Sequence, residues 1–224
     1  MENRVGVGDS AKDVAESAVP WHRQAVGGLW EEVGQLQFDF LRSEGLLPSH
    51  RLLDIGCGSL RGGVKFIAYL EPGNYYGVDA DKDLLDAGRD ELALYSLSGR
   101  MPHLRQTADF DLDFGCRFPF ALAQSVFTHL AFNSIHRCIL ELEKHLEPGG
   151  RFYATCFVGP GRESQEPVSH KAPDGSLISF LDRDPFHYDI DIFRWLCENS
   201  SLSFTYIGPW HHPRDQHMLL FQKR

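Results

Sequence analysis

The chain has 224 residues and a formal net charge of −9, with 42% hydrophobic and 24% charged residues, an ordinary composition for a soluble globular protein of one α/β domain. The acidity argues against long nucleic acid as a partner, because phosphate binding needs a basic face. No apolar run approaches the ~20 residues of a membrane span, and the N-terminus lacks the apolar core of a secretion signal. The cysteines at 57, 116, 138, 156 and 197 are odd in number and form no C-x-x-C, so reduced thiols in a cytoplasmic protein are expected rather than disulfides or structural zinc.

Residues 1–21 are polar and rich in small side chains, and read as a mobile N-terminal arm ahead of a single domain over 22–224. From His22 to Glu44, Val26, Leu29, Trp30, Val33, Leu36, Phe40 and Leu41 recur at helical spacing. Gly27, Gly28 and Gly34 inside that stretch either admit another backbone or a ligand, or serve helix packing alone. Trp30 reads either as a wall of an acceptor pocket or as a core residue. Strands are expected at Arg51–Ile55, Tyr75–Asp79, Leu104–Ala108, Phe118–Ser125, Arg151–Val158, Ser203–Ile207 and Gln216–Gln222. Helices are expected at Val64–Leu70, Asp83–Leu97, Phe132–Leu146 and Ile190–Cys197. The polar stretch Gly159–Pro185 reads as one long loop, and loops of that length tend to be functional. The β-α alternation predicts a doubly wound, mostly parallel seven-stranded sheet with an antiparallel last strand and an N-terminal helical cover.

The first strand breaks into the turn "GCGSLRGG", residues 56–63. The dinucleotide pattern G-x-G-x-x-G would need glycine at 61, which is Arg. Asp54 stands just before the turn, where a carboxylate suits a ligand with a cationic group better than a pyrophosphate. Asp79 ends the next strand, where a carboxylate can accept both hydroxyl protons of a ribose. "LLDIGCGSLRGG", "YYGVDAD", "SVFTHL" and "HLEPGGRFYATCF", in that order behind the lead-in "AVGGLWEEVGQLQFDFL", resemble the class I S-adenosylmethionine-dependent methyltransferases. The resemblance runs from about His22 to the C-terminus. It implies a Rossmann-like fold with S-adenosylmethionine as cofactor.

That resemblance implies a role for each matching position. Gly56, Cys57 and Gly58 would lie against the methionine half of the cofactor, with Asp54 fixing the turn or the ammonium. Asp79, with Ala80 beside it, would hold the ribose. Leu60 and Arg61 open the following helix, where free N–H groups favour the methionine carboxylate; Arg61 otherwise reads as a surface ion pair. Asp109 and Phe110 would meet the adenine amino group and ring, or belong to a plain acidic loop. Gln124 and Ser125 occupy the end of the fourth strand, where the family often places an acid near the sulfonium. The missing acid leaves a carboxylate catalyst at that position in doubt.

Methyl transfer requires an aligned acceptor and, for some acceptors, a base with a pKa near 7. His129, His187 with Tyr188, and His212 stand on or near the carboxyl-end rim and are the candidate catalytic residues. Phe127, Phe157, Phe186, Tyr188 and Trp210 suit an apolar acceptor pocket or the core. His211, His212, His217 and Asp215 cluster in sequence, but nothing else points to a metal, and none is expected. The reading is methyl transfer to an oxygen or nitrogen of a small-molecule acceptor. The alternatives are a cofactor-binding regulatory or scaffold protein without its own catalysis, and a nicotinamide oxidoreductase. The oligomeric state is not legible.

Overall fold

The computed structural model describes residues 19–161, 165–173, 175–198 and 200–224. Residues 1–18 of the expected arm lie outside the described residues, and Trp21 already opens the first helix. Helices α1 (Trp21–Ala25) and α2 (Trp30–Ser43) replace the single helix expected over 22–44. The break falls at Gly27, Gly28 and Leu29, which all take positive φ (88°, 61° and 47°). Two adjacent glycines make a left-handed step cheap, and the helix cannot run through it.

The remaining elements are β1 (Leu52–Ile55), α3 (Gly63–Tyr69), β2 (Tyr75–Asp79), α4 (Lys82–Leu94), β3 (His103–Gln106), β4 (Phe118–Ala123), α5 (Phe132–His145), β5 (Leu146–Val158), β6 (Val168–Ala172), β7 (Gly175–Ser179), β8 (His187–Tyr188), α6 (Asp191–Cys197), β9 (Leu202–Pro209) and β10 (His217–Lys223). The main sheet runs β3-β2-β1-β4-β5-β10-β9. Strands β1 to β5 pair in parallel, and β10 lies antiparallel to both β5 and β9. Apolar side chains cover both faces, as a parallel sheet demands. One face packs Leu52, Phe66, Leu85, Tyr153 and Met218 under α2, α3 and α4. The other packs Leu53, Ile139, Phe152, Phe193 and Phe221 under α5 and α6.

The stretch 159–185 is not a plain loop. β6 and β7 form an antiparallel hairpin, with His170 opposite Leu177, and β8 adds in parallel to β5 through Phe157↔His187 and Val158↔Tyr188. Residues 162–164 and 174 of this stretch lie outside the described residues. The strands are short and polar, so the composition resembles a loop. The signal for the hairpin is the A-P-D-G turn between two five-residue runs.

The N-terminal cover is tied down by a buried carboxylate. Glu91 of α4 is fully buried and accepts from Arg23 Nε (2.6 Å) and Arg23 Nη2 (2.7 Å), and it lies 2.7 Å from His22 Nε2. Ser59 Oγ donates to the His22 carbonyl (3.3 Å). Gly34 lets α2 press on the segment after β1, since a Cβ there would stand 2.6 Å from the Arg61 carbonyl oxygen.

Candidate active site

A cavity of about 570 Å³ opens at the carboxyl ends of β1, β2, β4 and β5, a size suited to a small-molecule site. It lies where the strand order reverses, between β1 and β4, where open α/β sheets bind ligands. Gly56 and Gly58 carry positive φ (69° and 54°). Gly58 is also held against the cover, because a Cβ there would meet Val26 Cγ1 at 2.7 Å. The glycine turn therefore runs as bare backbone along the cavity wall.

Two carboxylates lie on that wall. Asp79 ties its own turn: Oδ2 accepts from Gly58 N (2.7 Å) and Oδ1 from Asp81 N (2.9 Å). Burial raises its pKa, and the Asp81 and Gly58 N–H groups pull against that rise. Asp54 is 4% exposed and accepts from the Tyr75 hydroxyl at 2.6 Å. Burial pushes its pKa up to about 7; the Tyr75 hydrogen bond opposes the shift, Asp79 adds to it, and Arg61 opposes it. Asp54 is thus poised to lose a proton when positive charge arrives beside it.

Two arginines close the opposite side. Arg61 Nη1 donates to the carbonyls of Val26 (2.6 Å) and Gly28 (3.0 Å), and Arg214 Nη2 donates to that of Gly27 (2.6 Å). Arg61 is 7% exposed, and its Nε is buried without a hydrogen-bond partner. Burial lowers its pKa to about 10, helped by the charge of Arg214. The α1–α2 turn is thus pinned over the cavity by two guanidiniums.

Gln124 and Ser125 follow β4 directly and sit in a polar cluster. Ser125 N donates to Thr155 Oγ1 (2.7 Å), while Thr155 Oγ1 (2.7 Å) and Ser125 Oγ (3.0 Å) both donate to Gln216 Oε1. Gln124 Nε2 lies 3.1 Å from His212 Nε2, and Gln124 Oε1 is buried without a partner.

Of the residues singled out from the sequence, Asp54, Gly56, Cys57, Gly58, Arg61, Asp79, Ala80, Phe110, Gln124, Ser125 and His129 line this cavity. The others are placed elsewhere. Leu60 is fully buried in the core, where its side chain packs against Gly63 and Gly88. Asp109 is exposed and pairs with Arg137 (3.0 Å). His187 is buried behind β5, with Nδ1 3.0 Å from Ser179 Oγ. Tyr188 is a core residue that donates its hydroxyl to the Leu130 carbonyl. His212 is 7% exposed and stacks on Trp210, one side chain behind the wall. Burial, then the charges of Arg61 and Arg214, lowers its pKa to about 3. A ring that stays neutral to pH 3 is a poor general base at pH 7. His129 does face the cavity, and its Nδ1 lies 2.7 Å from Asp184 Oδ1. Trp30 belongs to the core and donates Nε1 to the Tyr95 hydroxyl (3.3 Å).

Sequence reasoning missed Arg214, Gln216, Thr107, Leu177 and the cover residues Ala25 and Val26, all on the cavity wall, while Gly27, read as open to a ligand or to helix packing, does line it. For Arg214 the available signal was a lone cation in the loop "WHHPRD" between two apolar strands.

Residues 53–152, a little under half of the chain, match a family model described as a methyltransferase domain, which marks that stretch as a methyltransferase domain. Solved structures share the fold at low identity. A magnesium protoporphyrin IX methyltransferase from Synechocystis PCC 6803 with bound S-adenosylmethionine is 14% identical, with a TM-score of 0.61, covering 92% of this chain and 85% of that one. The CcbJ methyltransferase from Streptomyces caelestis is 15% identical, with a TM-score of 0.65, covering 89% and 98%. The amino pentose methyltransferase CalS10 from Micromonospora echinaspora is 15% identical, with a TM-score of 0.62, covering 90% and 94%.

Proposed function

We propose that this chain is an S-adenosylmethionine-dependent methyltransferase acting on an oxygen or nitrogen atom of a small-molecule acceptor. The observation that carries the reading is a single cavity with two unlike halves. The half over β1 and β2 holds the glycine turn, Asp54, Asp79 and Phe110; the half over β4, β5 and the β6–β7 hairpin holds Gln124, Ser125, Phe157, Leu177 and Pro185. The first half suits the cofactor. Arg61, a guanidinium on the cavity wall, suits the methionine carboxylate. Asp54 suits the ammonium, and Asp79 keeps lone pairs for ribose hydroxyls beyond the two N–H groups it accepts. The second half, apolar with a few fixed polar groups, suits a compact acceptor rather than a polymer. The related amino pentose and protoporphyrin methyltransferases are likewise described by small-molecule acceptors, which supports the reading.

S-adenosylmethionine held there would supply an electrophilic methyl group. The chain's own part is to align the acceptor and exclude water. His129, the one of the four candidate bases that reaches the cavity, would take a proton from the acceptor with Asp184 orienting its ring. The test is calorimetry of S-adenosylhomocysteine against the wild type and Asp79→Ala. Binding to the wild type that weakens at least tenfold in the variant supports the site. Undiminished binding to Asp79→Ala would refute it.

A further inference from the structure

We propose that Arg214 selects acceptors carrying an anionic oxygen group, a carboxylate or a phosphate ester, beside the atom to be methylated. This inference rests on the methyl-transfer reading above. The carboxylates on the cavity wall are Asp54 and Asp79, both at the ends of β1 and β2. Among the described residues, the half of the wall over β4, β5 and β10 has none, yet Arg214 stands there. A Cβ built on Gly27 would lie 3.0 Å from Arg214 Nη1 and 3.8 Å from Arg61 Nη1, so the two guanidiniums converge on one turn. Their hydrogen bonds run to the neutral carbonyls of residues 26–28, and among the described residues neither makes a salt bridge to a carboxylate. Asp54 offsets part of the Arg61 charge, whereas the side-chain hydrogen bond of Arg214 runs to a neutral carbonyl, and an enclosed site answers such a charge by binding an anion.

The two arginines divide that task by position. Arg61 follows the glycine turn and is buried, which suits the methionine carboxylate. Arg214 enters from the β9–β10 loop, on the acceptor side, and is less buried. Arg214 shares its part of the wall with the uncharged Gln124, Ser125 and Gln216, a setting in which a guanidinium favours an anionic oxygen.

The experiment uses the full chain saturated with S-adenosylhomocysteine and titrates benzoate, phenyl phosphate and neutral benzamide by ligand-observed NMR. The expected result is at least tenfold tighter binding of benzoate or phenyl phosphate than of benzamide. Whichever anion wins identifies the group. Arg214→Gln abolishes the preference and Arg214→Lys keeps part of it, each measured with S-adenosylhomocysteine re-titrated to saturation. Equal binding of benzamide overturns the proposal, as does a preference that survives in Arg214→Gln. Absence of S-adenosylhomocysteine binding to the wild type removes the underlying site reading, and this inference with it.

Discussion

His212 ties the stability of the domain to acid. In the unfolded chain its imidazole takes up a proton below pH 6.5; in the folded chain, burial and the charges of Arg61 and Arg214 hold it off until about pH 3. Between those values the unfolded state binds more protons, so stability falls as pH falls. The contribution is fully present above pH 6.5 and is lost progressively toward pH 3. Each pH unit is worth about 1.4 kcal/mol, so at pH 5 this one ring takes away about 2 kcal/mol. That is a sizeable part of the ~5–15 kcal/mol that holds a domain folded. The assay is urea denaturation at pH 7.5 and pH 5 of the wild type and His212→Gln. Glutamine keeps a polar contact to Gln124 without a titrating group. His170, His187 and His217, whose pKa values are also lowered by burial, remain in both proteins and cancel in the difference. The wild type is expected to lose about 2 kcal/mol more than the variant on going to pH 5. Parallel losses in the two proteins would refute the assignment of a buried, neutral ring at 212.

Asp54, its pKa pushed up to about 7 by burial, is expected to couple S-adenosylhomocysteine binding to proton release. At pH 7, calorimetry of S-adenosylhomocysteine in buffers of different ionisation enthalpy should show roughly half a proton released per site, and Asp54→Asn should show none. Gly58→Ala forces a side chain onto φ +54° and against Val26, so a loss of about 1–2 kcal/mol in denaturation is expected together with weakened S-adenosylhomocysteine binding; a variant that matches wild type in both measurements contradicts the close approach. Glu91→Gln removes the carboxylate that holds Arg23 and His22. It should cost about 2–3 kcal/mol and speed tryptic cleavage at Arg23, and an unchanged cleavage rate would mean that α1 is held by other contacts.

Much of this protein is written locally. A short apolar run such as Leu52–Ile55, buried at every position, and a period-3.6 run such as Phe132–His145 are marked by their own residues, because strand length and helical spacing are local properties. Glycines at 56 and 58 mark the turn, since few other residues accept its positive φ. The half of the cavity proposed for the cofactor was foreshadowed for the same reason: Asp54, the turn and Asp79 belong to two consecutive strands, whose parallel pairing follows from their crossover helix. The half proposed for the acceptor was not. Gln124, Thr155 and Gln216 meet only because β10 turns back antiparallel beside β5, and Arg214 meets Arg61 only because α1 breaks at Gly27–Leu29 and folds over the turn. His187 and Tyr188 stand in the same stretch as cavity residues Leu177 and Pro185, yet β8 pairs with β5 and buries both away from the cavity. Sequence spacing records which residues are neighbours along one element. Which side chains converge across elements is decided by topology, and so is the burial that shifts their charges.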